Sequence, residues 1–166
     1  YKLDPDLVSE ALGRLTDCFE VTKYSSLSQL RENLEKFSDK QPAFGIYAGN
    51  QDYRLLIAPI LDPNVSRLDQ LDVKILHDQI ISKFFGVDVT IPEDQEKISY
   101  KADTSQAIEM VKSGDYQIAF LMNPTSVNHV NEVALDGKTM PQKSTFFYPK
   151  LATGITFNLL NSPILI

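Results

Sequence analysis

The sequence predicts an α+β (mixed α/β) fold: about six strands in a mixed sheet, packed by about five helices as a two-layer sandwich. Three observations lead there. Apolar residues recur at helical spacing in five separate stretches. Short apolar or β-branched runs alternate with those stretches. Two of the runs, Phe44 to Tyr47 and Tyr53 to Ile60, flank Gly49-Asn50-Gln51-Asp52, a composition that suits a hairpin.

In chain order, Asp4-Pro5 has the composition of a helix start, with Asp at the cap and Pro at the first helical position. Leu7, Val8, Ala11, Leu12 and Leu15 form its apolar stripe. Phe19 to Tyr24 alternates as a strand. Ser26 with Gln29 forms a capping box for a second helix carrying Leu27, Leu30, Leu34 and Phe37. After the hairpin, a loop with Pro59, Pro63 and Asn64 leads to a third helix, Leu68 to Phe85, stopped by Gly86. The acidic span Asp88 to Lys97, interrupted by Pro92, is expected to be a surface loop. Ile98 to Lys101 is expected as a strand, then a helix capped by Asp103 with Ala107, Ile108 and Val111. Ile118 to Met122 is expected as a buried strand. A helix capped at Thr125 carries Val127, Val130, Val133 and Ala134, and Ile155 to Leu160 is the last strand.

The 166 residues suit a single domain spanning 1–166. Because the chain opens at Tyr1 and enters a helix almost at once, it reads as the C-terminal part of a longer chain. With 43% hydrophobic residues, it can build a core without disulfides or metals. The net charge of −6 argues against nucleic acid as a partner, since that requires clustered Lys and Arg. No apolar run approaches the roughly 18 residues of a membrane span. The single cysteine, Cys18, cannot form an internal disulfide; it reads as a small core residue in a cytoplasmic protein.

The segment from Met140 to Lys150, MPQKSTFFYPK, concentrates polar chemistry. Pro141 and Pro149 resist helix, while Lys143, Ser144, Thr145, Tyr148 and Lys150 crowd ammonium and hydroxyl groups together. Two lysines among hydroxyls can hold a phosphate or carboxylate by charge-assisted hydrogen bonds. The competing account is an ordinary connection, anchored by Phe146 and Phe147 with solvated lysines. Gly137-Lys138-Thr139 is not a P-loop: Glu132 stands where that motif needs Gly, and Pro141 follows where it needs a helix. On the third helix, His77 falls inside the apolar face, and Asp72 lies between Leu68 and Leu76. Both need partners if buried. They lie about 140° apart around the helix and are not expected to touch. His129 shares the polar side of its helix with Glu132. The spacing of the two histidines matches no metal-ligand pattern, so neither metal nor cofactor is expected.

Leu71-Asp72-Val73 with Leu76-His77, Ile98 with Tyr100, Ile118 to Leu121 with Pro124, and above all Met140 to Lys150 followed by Thr153-Gly154 carry a family likeness. From about Leu15 to Leu160 the chain resembles domain-of-unknown-function family 1015. The resemblance implies the C-terminal half of a longer bacterial or archaeal protein. The N-terminal half of such a protein is similar to ParB-like domains, some of which bind nucleotides and include a free-serine kinase. It therefore implies phosphate chemistry at the motif. Lys143 and Lys150 would supply charge to a small phosphorylated or nucleotide ligand, and Ser144, Thr145 and Tyr148 would orient it. His77 or Asp72 would transfer a proton in a kinase- or phosphatase-like reaction. The alternative is a non-catalytic regulatory or interaction module, whose polar motif docks the absent N-terminal half.

Overall fold

The computed structural model describes residues 3–38, 40–60, 65–141 and Ser144. Among these residues four strands form one sheet: β1 Glu20–Tyr24, β2 Ala43–Tyr47, β3 Tyr53–Ile57 and β4 Ala119–Met122. The described helices are α1 Pro5–Arg14, α2 Leu27–Glu35, α3, α4 Pro92–Gln95, α5 Thr104–Lys112 and α6 Val127–Leu135. Helix α3 runs continuously through α-helical Asp72–Ile75, π-helical Leu76–Ser82 and α-helical Lys83–Phe85.

The helix starts follow side-chain chemistry. Asp4 accepts from the Asp6 backbone N–H at 2.9 Å, with Pro5 just inside α1. Ser26 caps α2 through the Gln29 N–H, and Asp103 caps α5 through the Ser105 N–H at 2.7 Å. At α6 the cap is Ser126, one residue beyond the expected Thr125. Helix α3 starts at Asp72 rather than Leu68, because residues 66–71 form tighter turns, including Leu71 N–H to the Leu68 carbonyl. It ends, as expected, at Gly86 with φ +64.

The sheet order is β1-β3-β2-β4, and every pairing is antiparallel. The β2–β3 hairpin closes through Asp52 N–H to the Gly49 carbonyl at 2.8 Å; Gly49, Asn50 and Gln51 all take positive φ. The expectation of six strands in a mixed sheet is therefore corrected. Ile98 to Lys101 joins no strand: the Ile98 N–H bonds the Gln95 carbonyl to close a helical turn, and Asp103 caps α5 directly afterwards. Ile155 to Leu160 lies outside the described residues.

The two-layer expectation is also corrected, because helices cover both faces of the sheet. All five residues of β2 are buried, which requires packing on each side. Phe44 and Ile46 join Leu56 and side chains of α1 and α3 in the largest core cluster. On the opposite face Ala43, Leu55 and Leu121 meet Leu30 and Leu34 of α2, while Tyr47 and Ala119 meet Ile108 and Val111 of α5. Gly45 makes the approach of α2 possible. A Cβ there would lie 3.1 Å from Leu121 Cβ and 3.2 Å from Leu30 Cδ2, so any other residue would make these neighbours give by a few tenths of an ångström.

Three smaller expectations change. Cys18 is exposed, because Leu15 and Phe19 on either side take the buried positions; its Sγ lies 3.5 Å from Lys83 Nζ. The acidic span after Asp88 contains the helical turn α4, and Asp94 pairs with Lys97. In α6 only Val133 of the expected stripe is buried, against Leu71 and Val73.

Candidate functional site

The π-helical turn of α3 carries His77, which retains only 8% of its surface. An i→i+5 turn widens the helix and re-aims side chains, a distortion that recurs at functional sites. The His77 Nε2 lies 3.2 Å from the Tyr100 hydroxyl, and the rings meet edge to face at 6.1 Å. Burial lowers the His77 pKa below its ordinary range; exposed Asp78 raises it and Lys74 lowers it further. Burial pushes the Tyr100 phenol up. At neutral pH the pair is thus a neutral imidazole and a neutral phenol joined by one hydrogen bond.

These two side chains open into a cavity of about 490 Å³, whose wall includes Val89, Thr90, Gln95, Ile98 and Pro141. The span expected to be a plain surface loop is the wall on one side, and it is tightly knotted. Asp88 accepts from both the N–H and the hydroxyl of Thr90, at 2.8 and 2.7 Å. Asp94 accepts from the Asp88 N–H at 2.8 Å, and the Gln95 side-chain amide donates to the Val89 carbonyl at 3.0 Å. The Thr90 bonds hold the Asp88 carboxyl below its usual range, and Lys97 does the same for Asp94. Acidic groups in this span organise the wall instead of only solvating it.

Pro141 brings the start of the MPQKSTFFYPK segment to this cavity. Ser144 is buried; its hydroxyl donates to the Pro141 carbonyl at 2.7 Å, and its own carbonyl accepts from Thr125 Oγ1 at 2.9 Å. Its hydroxyl is used within the turn. Lys143, Thr145, Tyr148 and Lys150 lie outside the described residues.

Asp72 does not line the His77 cavity. It is half-buried at the first position of α3 and lines a second, smaller cavity of about 220 Å³, together with Lys40, Arg67, His129 and Glu132. The two acid–base candidates of α3 therefore serve different cavities. Tyr100, Thr90, Gln95 and Lys40 were not singled out as site residues by spacing. The Asp88-x-Thr90 pattern, an Asx-type turn, was the available signal for the first wall. Among the described residues no cluster of His, Cys, Asp and Glu could hold a metal ion. No helix among them is long and apolar enough to cross a membrane. Comparison of the chain with protein-family models, with curated proteins and with solved structures gave no match.

Proposed function

We propose that the protein binds a small phosphorylated ligand of the nucleotide class in the His77–Tyr100 cavity and carries out phosphoryl transfer there. The observation that carries this reading is Pro141: a residue of the MPQKSTFFYPK segment shares a cavity wall with a buried, hydrogen-bonded histidine. The cavity volume falls within the roughly 300–1,000 Å³ typical of small-ligand sites. Val89, Ile98 and Pro141 offer an apolar surface to a base or sugar. In this reading Lys143 and Lys150 meet the phosphate, and Thr145 and Tyr148 orient it. His77, held neutral by burial, accepts a proton from the attacking hydroxyl. The chain's resemblance to domain-of-unknown-function family 1015 supports reading the segment as a ligand loop.

Calorimetric titration of the chain with AMP, and with adenosine as the phosphate-free control, tests the proposal. AMP binding that weakens about tenfold or more in Lys143→Ala, at an unchanged melting temperature, is the expected result. His77→Gln should weaken both ligands. AMP that does not bind, or binds Lys143→Ala as well as the parent, ends the proposal.

A second reading has one observation in its favour: the Ser144 hydroxyl is engaged with Pro141, and its backbone with Thr125. That is how a latch that docks another part of the protein would be built. Its mark would be a lowered melting temperature in Lys143→Ala with no effect on a ligand.

A further inference from the structure

The second cavity has no part in the proposed function, and its chemistry differs. Its described walls carry Lys40, Arg67 and His129 against two carboxylates, Asp72 and Glu132. The formal charges of Lys40, Arg67, Asp72 and Glu132 cancel, but the commitments do not. Glu132 already faces Arg67, Oε2 to Nε at 3.7 Å, and Asp72 has an interaction of its own. Among the described residues the side chains of Lys40 and His129 have no hydrogen-bond or ion-pair partner. The groups left uncommitted are thus both cationic or donor groups.

The frame around them is fixed. The Asn123 amide donates to the Leu34 carbonyl at 2.8 Å, Thr125 donates to the Ser144 carbonyl at 2.9 Å, and the Gln41 amide donates to the Ala58 carbonyl. Three wall residues are therefore tied to backbone on three different parts of the chain. Such a frame loses little freedom on binding. The start of α6 borders the same space through Thr125, just before the cap Ser126, and His129 in the first turn.

From this arrangement we propose that the second cavity is a binding site for a compact oxyanion of phosphate size, held by the Lys40 ammonium and the His129 imidazole. Lys40 provides a mobile point charge and His129 a directional donor, the combination that suits a tetrahedral or planar oxyanion. The site is independent of the His77–Tyr100 cavity.

The chain has two histidines, which makes the test direct. In imidazole NMR spectra of the whole chain, titration with inorganic phosphate should move the His129 signals along a saturable curve and leave His77 in place. Acetate, as the planar carboxylate probe, separates carboxylate from phosphate selectivity. Lys40→Gln should weaken phosphate binding about tenfold, and Lys40→Arg should restore most of it. An equal shift with chloride at matched ionic strength, unchanged affinity in Lys40→Gln, or no shift at all overturns the site. Movement of His77 with His129 unmoved also overturns it, while leaving the function proposed for the other cavity intact.

Discussion

Helix α3 touches two cavities, and they are built in opposite ways. At the π-helical turn, a buried histidine and an exposed tyrosine, both neutral, are bonded to each other, in a wall that mixes Val89, Ile98 and Pro141 with Thr90 and Gln95. At the Asp72 end the lining is charged, and Lys40 and Arg67 are exposed or half-exposed. Burial gives the first cavity groups whose protonation the protein can tune. Exposure leaves the second with charges that water and salt screen. The same helix thus carries one residue placed for proton chemistry and another placed among charges.

The strongest way to break this contrast is to empty the core behind His77. Ile80 is fully buried in the π-helical turn, and Ile80→Ala should destabilise the fold by about 2–5 kcal/mol in urea unfolding. The hydrogen bond between His77 and Tyr100 should break with it. Next comes the other side of the sheet. Gly45→Val forces α2 away from Leu121 and should cost about 1–3 kcal/mol. Because Asn123 bonds the Leu34 carbonyl in α2, that change should disturb the charged cavity while sparing the His77 one, a difference visible in the two histidine spectra.

Acid separates the cavities more finely. His77 binds its proton less readily folded than unfolded, so its contribution is complete above the ordinary histidine value of about 6.5 and is lost as pH falls from there towards the lowered folded value. Stability measured across that window should decline by no more than about 1.4 kcal/mol per pH unit from this one group, and His77→Gln should flatten the decline. Tyr100→Phe removes the shared hydrogen bond and should cost about 0.5–1.5 kcal/mol. The smallest effect belongs to the charged cavity: Arg67→Ala breaks a half-exposed ion pair with Glu132 and should change stability by less than about 0.5 kcal/mol.

Local patterns made much of this architecture readable. Asp4-Pro5, Ser26 and Asp103 start helices because a side-chain oxygen meets an orphan N–H, an interaction spanning no more than three residues. The hairpin followed from Gly49-Asn50-Gln51-Asp52 for the same reason. Features that depend on distant residues were not readable. Ile98 to Lys101 has the composition of a strand, but α4 and α5 leave it no partner. The continuous burial of β2 meant two covered faces, which an apolar run alone cannot distinguish from one. For the site, His77 was placed correctly in the apolar face by helical spacing. Its partner Tyr100, 23 residues away, was not, and no periodicity could have paired them. Nor does composition reveal a π-helical turn, since Leu76 to Ser82 has the apolar spacing of an ordinary helix.

That turn has a consequence for how the chain could change over time. A π-helical turn inside an α-helix holds one residue more than the regular winding needs. Deleting one residue from it, such as exposed Gln79, would let α3 rewind as a plain α-helix of the same reach. The two ends would then keep nearly their present phase, so that His77 and the Phe84-Phe85 pair could stay where they are while the widening between them is lost. Helix α3 therefore carries its extra residue as a local widening beside His77, one that could be gained or lost without turning the rest of the helix.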